Sequence, residues 1–187
     1  MRRVPALAAA LLLPAGPQLV LVTAVSTGAS LLSQASVQAQ DAVAYYNRGN
    51  DKAAFGDKQG AIADFSQAIA INPQDAKAYR ARGSAKSALG DKQGAIDDYN
   101  QVIAINPQDA TAYVGRGLTK SALGDKQGAI NDYNQAIAIN PQDAEAWGAR
   151  GISKSQLGDR LGACEDARKS ASLGSSVAQR LLPQVCQ

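Results

Sequence analysis

The residues of this chain that could carry chemistry are few, and most of them recur. No histidine occurs in 187 residues, which removes the commonest general base and metal ligand. Two cysteines, Cys164 and Cys186, are too few to build a structural zinc site alone. Both lie in the last quarter of the chain, where a disulfide between them would fasten the C-terminal end; two independent buried thiols are the alternative. Aspartates are abundant, but they return at fixed offsets, as helix caps and face positions do and as a catalytic pair would not. The runs Gly56–Gly60, Gly90–Gly94 and Gly124–Gly128 read Gly-Asp-Lys-Gln-Gly. They resemble phosphate loops only superficially, because they lack the Gly-Lys-Ser/Thr ending and a preceding strand. No catalytic residue, cofactor or metal is expected, and the chain is read as a protein that is not an enzyme.

The N-terminus has a different character. Arg2 and Arg3 precede an apolar stretch from Ala6 to Val25, and Ser33–Gln40 is small and polar. Val37-Gln38-Ala39 fits a small-x-small cleavage site, so residues 1–39 read as a signal peptide cut after Ala39. An uncleaved anchor through Leu19–Leu32 is the alternative; that stretch is short for a bilayer span of about 20 residues. Export to a periplasm, a thylakoid lumen or the extracellular space follows, with no integral span in the mature chain. All the acids lie beyond residue 40, so losing Arg2 and Arg3 lowers the formal net charge from +3 to +1. A chain so nearly neutral gives no field for a phosphate backbone, and nucleic acid is not expected as a partner.

The elements that position these residues are set by a unit of 34 residues, written four times: 41–74, 75–108, 109–142 and 143–176. The second and third copies agree at 27 of 34 positions. A period of this length means stacked supersecondary units, none of which can bury its apolar face alone. In the second copy Asp75 can cap a first helix and Gly90 can end it in the left-handed conformation. Asp91 can cap a second helix, and Asn106-Pro107 stops it, because proline disfavours helical geometry in the residue before it. Ala95, Ile96, Tyr99, Val102 and Ile103 fall at helical spacing on that second helix. Gly83, with Gly49, Gly117 and Gly151 at the same offset, predicts a close approach between helices, opposite small residues Ala61, Ala95, Ala129 and Ala163.

These offsets resemble the tetratricopeptide repeat (TPR). The first aromatic of that pattern is Tyr45, Tyr79, Tyr113 and Trp147; the second is Phe65, Tyr99 and Tyr133; the late proline is Pro73, Pro107 and Pro141. The resemblance implies an all-α fold, an α-solenoid coiling as a right-handed superhelix of four helix-turn-helix TPR units. Residues 177–187 would add a short C-terminal capping helix through Leu181, Leu182 and Val185, kinked or shortened by Pro183. The chain departs from the family pattern where Arg48, Arg82, Arg116 and Arg150 replace its Leu, and where Lys52, Lys86, Lys120 and Lys154 replace its Tyr. Each copy also has an Asp before the second aromatic position: Asp64, Asp98, Asp132 and Asp166. Arginine and aspartate are expected to pair into a ladder along the stack, solvated charges being the alternative. The fourth copy has Ala167 in place of the second aromatic and Ser170 in place of the late small residue, as end repeats often do.

Function is sought where the copies disagree. Five of the seven differences between copies two and three lie in the first helix: Lys77/Thr111, Arg80/Val114, Ala81/Gly115, Ser84/Leu118 and Ala85/Thr119. They space as one helical face, and in the family the first helices line the concave surface. The expected groove starts polar and aromatic at Val43, Tyr46 and Asn50. It turns basic and small at Lys77, Arg80 and Ser84, continues past Thr111, and becomes apolar at Val114, Leu118 and Ile152, with Glu145 near its far end. Such a lining suits a peptide or helix of another protein with one acidic and one apolar segment. Some family members clamp chaperone C-termini through Lys, Asn and Arg, but the matching positions here are Tyr46, Asn50, Ala81, Thr111 and Gly115. Only the Asn is kept, so that activity is not carried over. The Arg-Gly and Gly-Asp-Lys-Gln-Gly phrasing is similar to TPR proteins of photosynthetic bacteria, which implies an assembly role in a periplasm or thylakoid lumen. The expected function is an exported scaffold or assembly factor; the alternative is a structural protein that self-associates end to end through its terminal repeats.

Overall fold

The computed structural model describes residues 40–186, so the signal sequence expected over residues 1–39 and its cleavage point lie outside the described residues. Helix α1 occupies 40–54. It is followed by α2 (Lys58–Ile71), α3 (Ala76–Ala88), α4 (Lys92–Ile105), α5 (Ala110–Ala122), α6 (Lys126–Ile139), α7 (Ala144–Gln156), α8 (Arg160–Ser172) and α9 (Ser176–Val185). There is no strand among the described residues, and none of their helices is long and apolar enough to cross a membrane.

The Gly-Asp-Lys-Gln-Gly runs are inter-helix turns. Gly90 has φ +93°, a left-handed conformation that costs glycine little, and Asp91 then caps α4 by accepting from the Gly94 N–H at 2.9 Å. A capping side chain at this position is worth about 1 kcal/mol. Helix α4 ends at Asn106, whose extended backbone suits the proline that follows and whose Oδ1 accepts from the Gln108 N–H at 3.2 Å. The same devices recur at Asp57, Asp125 and Asp159 and at Asn72 and Asn140.

From α2 to α9 each helix packs on the next, and α1 meets α2 through Arg48 with Asp64 and through the Phe65 ring at Gly49, giving four hairpins in series and α9 stacked on α8. First helices also meet across the stack, α3 with α5 and α5 with α7, whereas among the described residues second helices do not meet to the same extent. The stack therefore curves with its first helices inside, an α-solenoid with a short C-terminal helix. The approach expected opposite alanine is present at Gly83 and Gly151, where a Cβ would lie 3.3 Å from the Ala95 carbonyl oxygen and 3.2 Å from that of Ala163; at Gly117 and Gly49 it is an aromatic ring that closes on the glycine instead, Tyr133 Cε1 at 2.7 Å and Phe65 Cε1 at 2.6 Å. Val102 is fully buried, and Tyr99 and Ala112 pack with it between the second and third hairpins.

The charged residues form the expected ladder, within hairpins. Asp98 is 3% exposed and accepts from Arg82 Nε at 2.9 Å and Nη2 at 2.6 Å, while Lys86 Nζ stands 2.9 Å away. Arg116 with Asp132 and Arg150 with Asp166 repeat the two-pronged contact. The third guanidinium nitrogen reaches back to the preceding hairpin: Arg82 to Ser66, Arg116 to Asn100 and Arg150 to Asn134. Each guanidinium also lies over the first aromatic of its own helix, Arg82 5.4 Å above the Tyr79 ring and Arg150 4.6 Å above Trp147. In the first hairpin the Arg48 hydrogen bond, aided by Lys52 and opposed by burial, holds Asp64 well below the usual carboxylate range. Arg48 is correspondingly raised, chiefly by the same hydrogen bond.

Cys164 and Cys186 are joined, so the thiols are not independent; the bridge ties the end of α9 back to α8. Helix α9 runs through Pro183 to Val185 instead of ending at it. Pro183 forgoes the bond that an N–H there would make to the Gln179 carbonyl, but the turn is closed after it by the Cys186 N–H donating to the Leu182 carbonyl at 3.0 Å. Of the apolar set expected to hold α9, the side chains of Leu181 and Val185 lie outside the described residues; Ala178 is buried, and Gln179 donates to the Ala171 carbonyl at 3.2 Å. Closing a 22-residue separation contributes about 3 kcal/mol in a chain-entropy account. Cys164→Ser with Cys186→Ser is expected to lower the unfolding free energy by about that amount and to speed amide hydrogen exchange in α9 while α3–α6 keep their protection. Unchanged α9 exchange in the double variant would show that packing alone holds the helix.

Candidate interaction groove

The curvature turns one face of α1, α3, α5 and α7 inward, and that face carries a cleft of about 290 Å³. Tyr46 enters it from α1, Lys77, Arg80 and Ser84 from α3, and Thr111, Val114 and Leu118 from α5. Most of the residues singled out from sequence are therefore together. Ile152 is not in this cleft; it lines a second cavity of about 760 Å³, to which Leu118 also contributes. Asn50 is exposed on α1 and lines neither.

The lining is less uniform in accessibility than a helical face alone suggests. Val114 is 4% exposed, packed with Ala136, Ile137 and Ala146, and forms floor instead of rim. Leu118 is 43% exposed and presents its side chain to the cleft. Arg80 donates from Nη1 to Asp109 Oδ2 at 2.8 Å, while Asp109 caps α5 through its other oxygen, accepting from the Ala112 N–H. Arg80 is thereby fixed across two hairpins, with one of its nitrogens engaged. Lys77 and Glu145 are exposed, and neither forms an ion pair among the described residues. The groove thus offers cations at its α3 side and one free carboxylate at α7.

Ala85 and Thr119, the fifth differing pair, belong to the interior: Thr119 is 2% exposed and donates to the Gly115 carbonyl. Two groove features escape the sequence argument. Tyr99 forms part of the cleft floor, its phenol pushed up by burial. A second aromatic read only as core gives no hint that its edge reaches the groove. The larger cavity is lined by Gly148, Gly151, Ala163, Ala167 and Ser170, where the fourth repeat carries small residues. The signal was visible in Ala167, where the other copies carry Phe65, Tyr99 and Tyr133. Among the described residues, no group of three or more His, Cys, Asp or Glu side chains could hold a metal ion.

A family model described as TPR repeat matches residues 87–124 and 122–158, and one described as tetratricopeptide repeat matches 42–75, together more than half of the chain. A search of the curated proteins returned no match. Among solved structures, the crystal structure of MamA is similar at 27% identity and TM-score 0.69, over 74% of this chain and 81% of that one. The first TPR of Spaghetti (RPAP3), solved bound to the HSP90 peptide SRMEEVD, is 25% identical over 64% of this chain and 95% of its own, with TM-score 0.63. A tetratricopeptide repeat protein from Parabacteroides merdae is 25% identical over 78% of this chain and 59% of its own, with TM-score 0.70.

Proposed function

The chain belongs to the tetratricopeptide repeat family, and from that premise we propose that it is a protein-interaction scaffold that holds a segment of a partner protein against its first helices. The observation that carries this reading is where near-identical copies diverge. Four of the differing pairs, Lys77/Thr111, Arg80/Val114, Ala81/Gly115 and Ser84/Leu118, all line one cleft, while the caps, the ladder and the turns around them are repeated. Drift would spread differences over both helices of a hairpin; selection for a ligand concentrates them on the face it touches. The peptide held by the RPAP3 repeat domain supports the same mode. No reaction is assigned. We place the protein outside the cytoplasm, a reading supported by the signal-like residues 1–39 and by a disulfide of the kind oxidising compartments maintain.

In the scaffold reading Leu118 and Arg80 are the accessible anchors, with Tyr46 at the near rim. Arg80→Glu combined with Leu118→Asp reverses a charge and puts a carboxylate into the apolar part of the cleft. The double variant is expected to keep its helical circular dichroism at a lower melting temperature, because the Arg80–Asp109 pair is lost, and to lose its partner in a crosslinked pull-down, a loss of about a hundredfold or more in affinity. Equal recovery of the partner by both proteins would place binding elsewhere.

A further inference from the structure

The larger cavity lies where the fourth repeat lacks the aromatic residue that the others carry. In the third hairpin the Tyr133 ring closes on the backbone of α5 at Gly117, and in the first the Phe65 ring closes on α1 at Gly49. In the fourth hairpin the corresponding residues are Ala167 and Gly151. A Cβ on Gly151 would meet Asp166 Cβ, the Ala163 carbonyl oxygen and the Ala167 nitrogen, with no ring among them, whereas at Gly83 of the second hairpin the third of these places is taken by Tyr99 Cε1 at 3.5 Å. The backbone has not collapsed to fill the gap, because the Arg150–Asp166 pair holds α7 on α8 and the Cys164–Cys186 bridge holds α9 beside them. What remains is about 760 Å³, with Ile152, Leu173 and Val177 around the small residues. It adjoins the smaller cleft at Leu118 and Glu145, which line both.

We propose that this cavity is a socket for an aromatic side chain of the bound partner, which supplies the ring that the fourth repeat omits. The charge along the groove fixes the rest of the occupant. Lys77, exposed and unpaired among the described residues, together with Arg80, favours an acidic residue on the partner at the α3 side. Glu145 at the junction disfavours a carboxylate beside the socket. The occupant is therefore a segment with its acidic part over α3 and its aromatic residue over α7 and α9. This inference rests on the scaffold reading and adds the partner's side-chain chemistry and its direction along the groove.

The test uses the full chain with the disulfide intact and a synthetic peptide carrying two glutamates, a glycine spacer and a tryptophan. Titration followed by the anisotropy of a fluorescein label on the peptide, a signal that neither Trp147 of the protein nor loss of the peptide's own tryptophan disturbs, is expected to show saturable binding. Ala167→Tyr restores the ring found in the other hairpins and is expected to weaken the peptide about tenfold or more while raising thermal stability. Ile152→Asp, an exposed rim change that leaves the core untouched, is expected to weaken it comparably. Replacing the peptide's tryptophan by alanine should cost the same factor, and Lys77→Glu should weaken binding through the acidic end. Equal binding of the peptide by wild type and by both socket variants overturns the proposal, as does the absence of saturable binding. A partner that Ala167→Tyr still captures and Arg80→Glu/Leu118→Asp does not would sink the socket and leave the scaffold reading standing. A wild-type dimer that Ala167→Tyr converts to monomer would give the cavity to a second copy, and also overturns it.

Discussion

Tyr133→Ala is expected to lower the unfolding free energy by about 3–5 kcal/mol. Tyr133 is 1% exposed, and its ring fills the space between α5 and α6 so closely that Gly117 tolerates no Cβ. The backbone at Gly117 cannot move in to close the hole, since Arg116 beside it is tied to Asp132. A cavity therefore persists, and its cost adds to the lost burial. Burial also pushes the phenol well above its ordinary value, so the side chain acts as a neutral ring with a polar tip. Tyr133→Phe, which copies Phe65 of the first hairpin, is expected to cost less than about 1.5 kcal/mol. Urea denaturation separates the two, and hydrogen exchange should place the loss in α5 and α6, since a repeat stack loses stability locally. A Tyr133→Ala variant within 1 kcal/mol of wild type would mean that the third hairpin packs differently.

The ladder yields the second large effect. Arg116→Ala leaves Asp132, 3% exposed, with only Lys120 at 2.9 Å. The expected loss is about 2–3 kcal/mol: two charge-assisted hydrogen bonds to a desolvated carboxylate are removed, while Lys120 still compensates part of its charge. The same substitution deletes the hydrogen bond to Asn100 in the preceding hairpin and the cation over Tyr113, so two neighbouring hairpins are loosened together. Arg116→Met with Asp132→Leu removes both charges and keeps apolar volume. It is expected to recover most of the loss, as buried pairs often yield to well-packed apolar replacements. A double variant as unstable as Arg116→Ala would show that the arginine matters for its reach to Asn100 more than for the aspartate.

The fold was legible because its determinants are local and repeated. Asp91, Gly90 and Asn106-Pro107 each act within a few residues of themselves, and four copies in phase remove the ambiguity of one. The Arg82–Asp98 pairing was legible too, since a helical face and a 34-residue phase leave few partners for either residue. Spacing could place Val114 on the inner face of α5, but its burial depends on Ala136, Ile137 and Ala146 from the hairpins on either side of the gap, which no single-helix pattern contains. Arg80 was expected in the basic part of the groove, but its tie to Asp109 was not, because Asp109 stands where Asp75 stands in the second copy, a position that capping alone accounts for. The loss of an aromatic at Ala167 was plain, yet a missing side chain predicts a hole only if the neighbours cannot close it. That depends on the bridge between Cys164 and Cys186, whose formation sequence left open.

The measurement that bears most directly on the scaffold account is site-specific photo-crosslinking to the partner from opposite faces of the same hairpin. A photoreactive residue is placed at Ser84, exposed on the inner face of α3, and separately at Gln101, exposed on α4. The account predicts a partner adduct from position 84 and none from position 101. Adducts from position 101 alone would contradict it, and would move recognition to the second-helix surface that the repeats keep nearly constant.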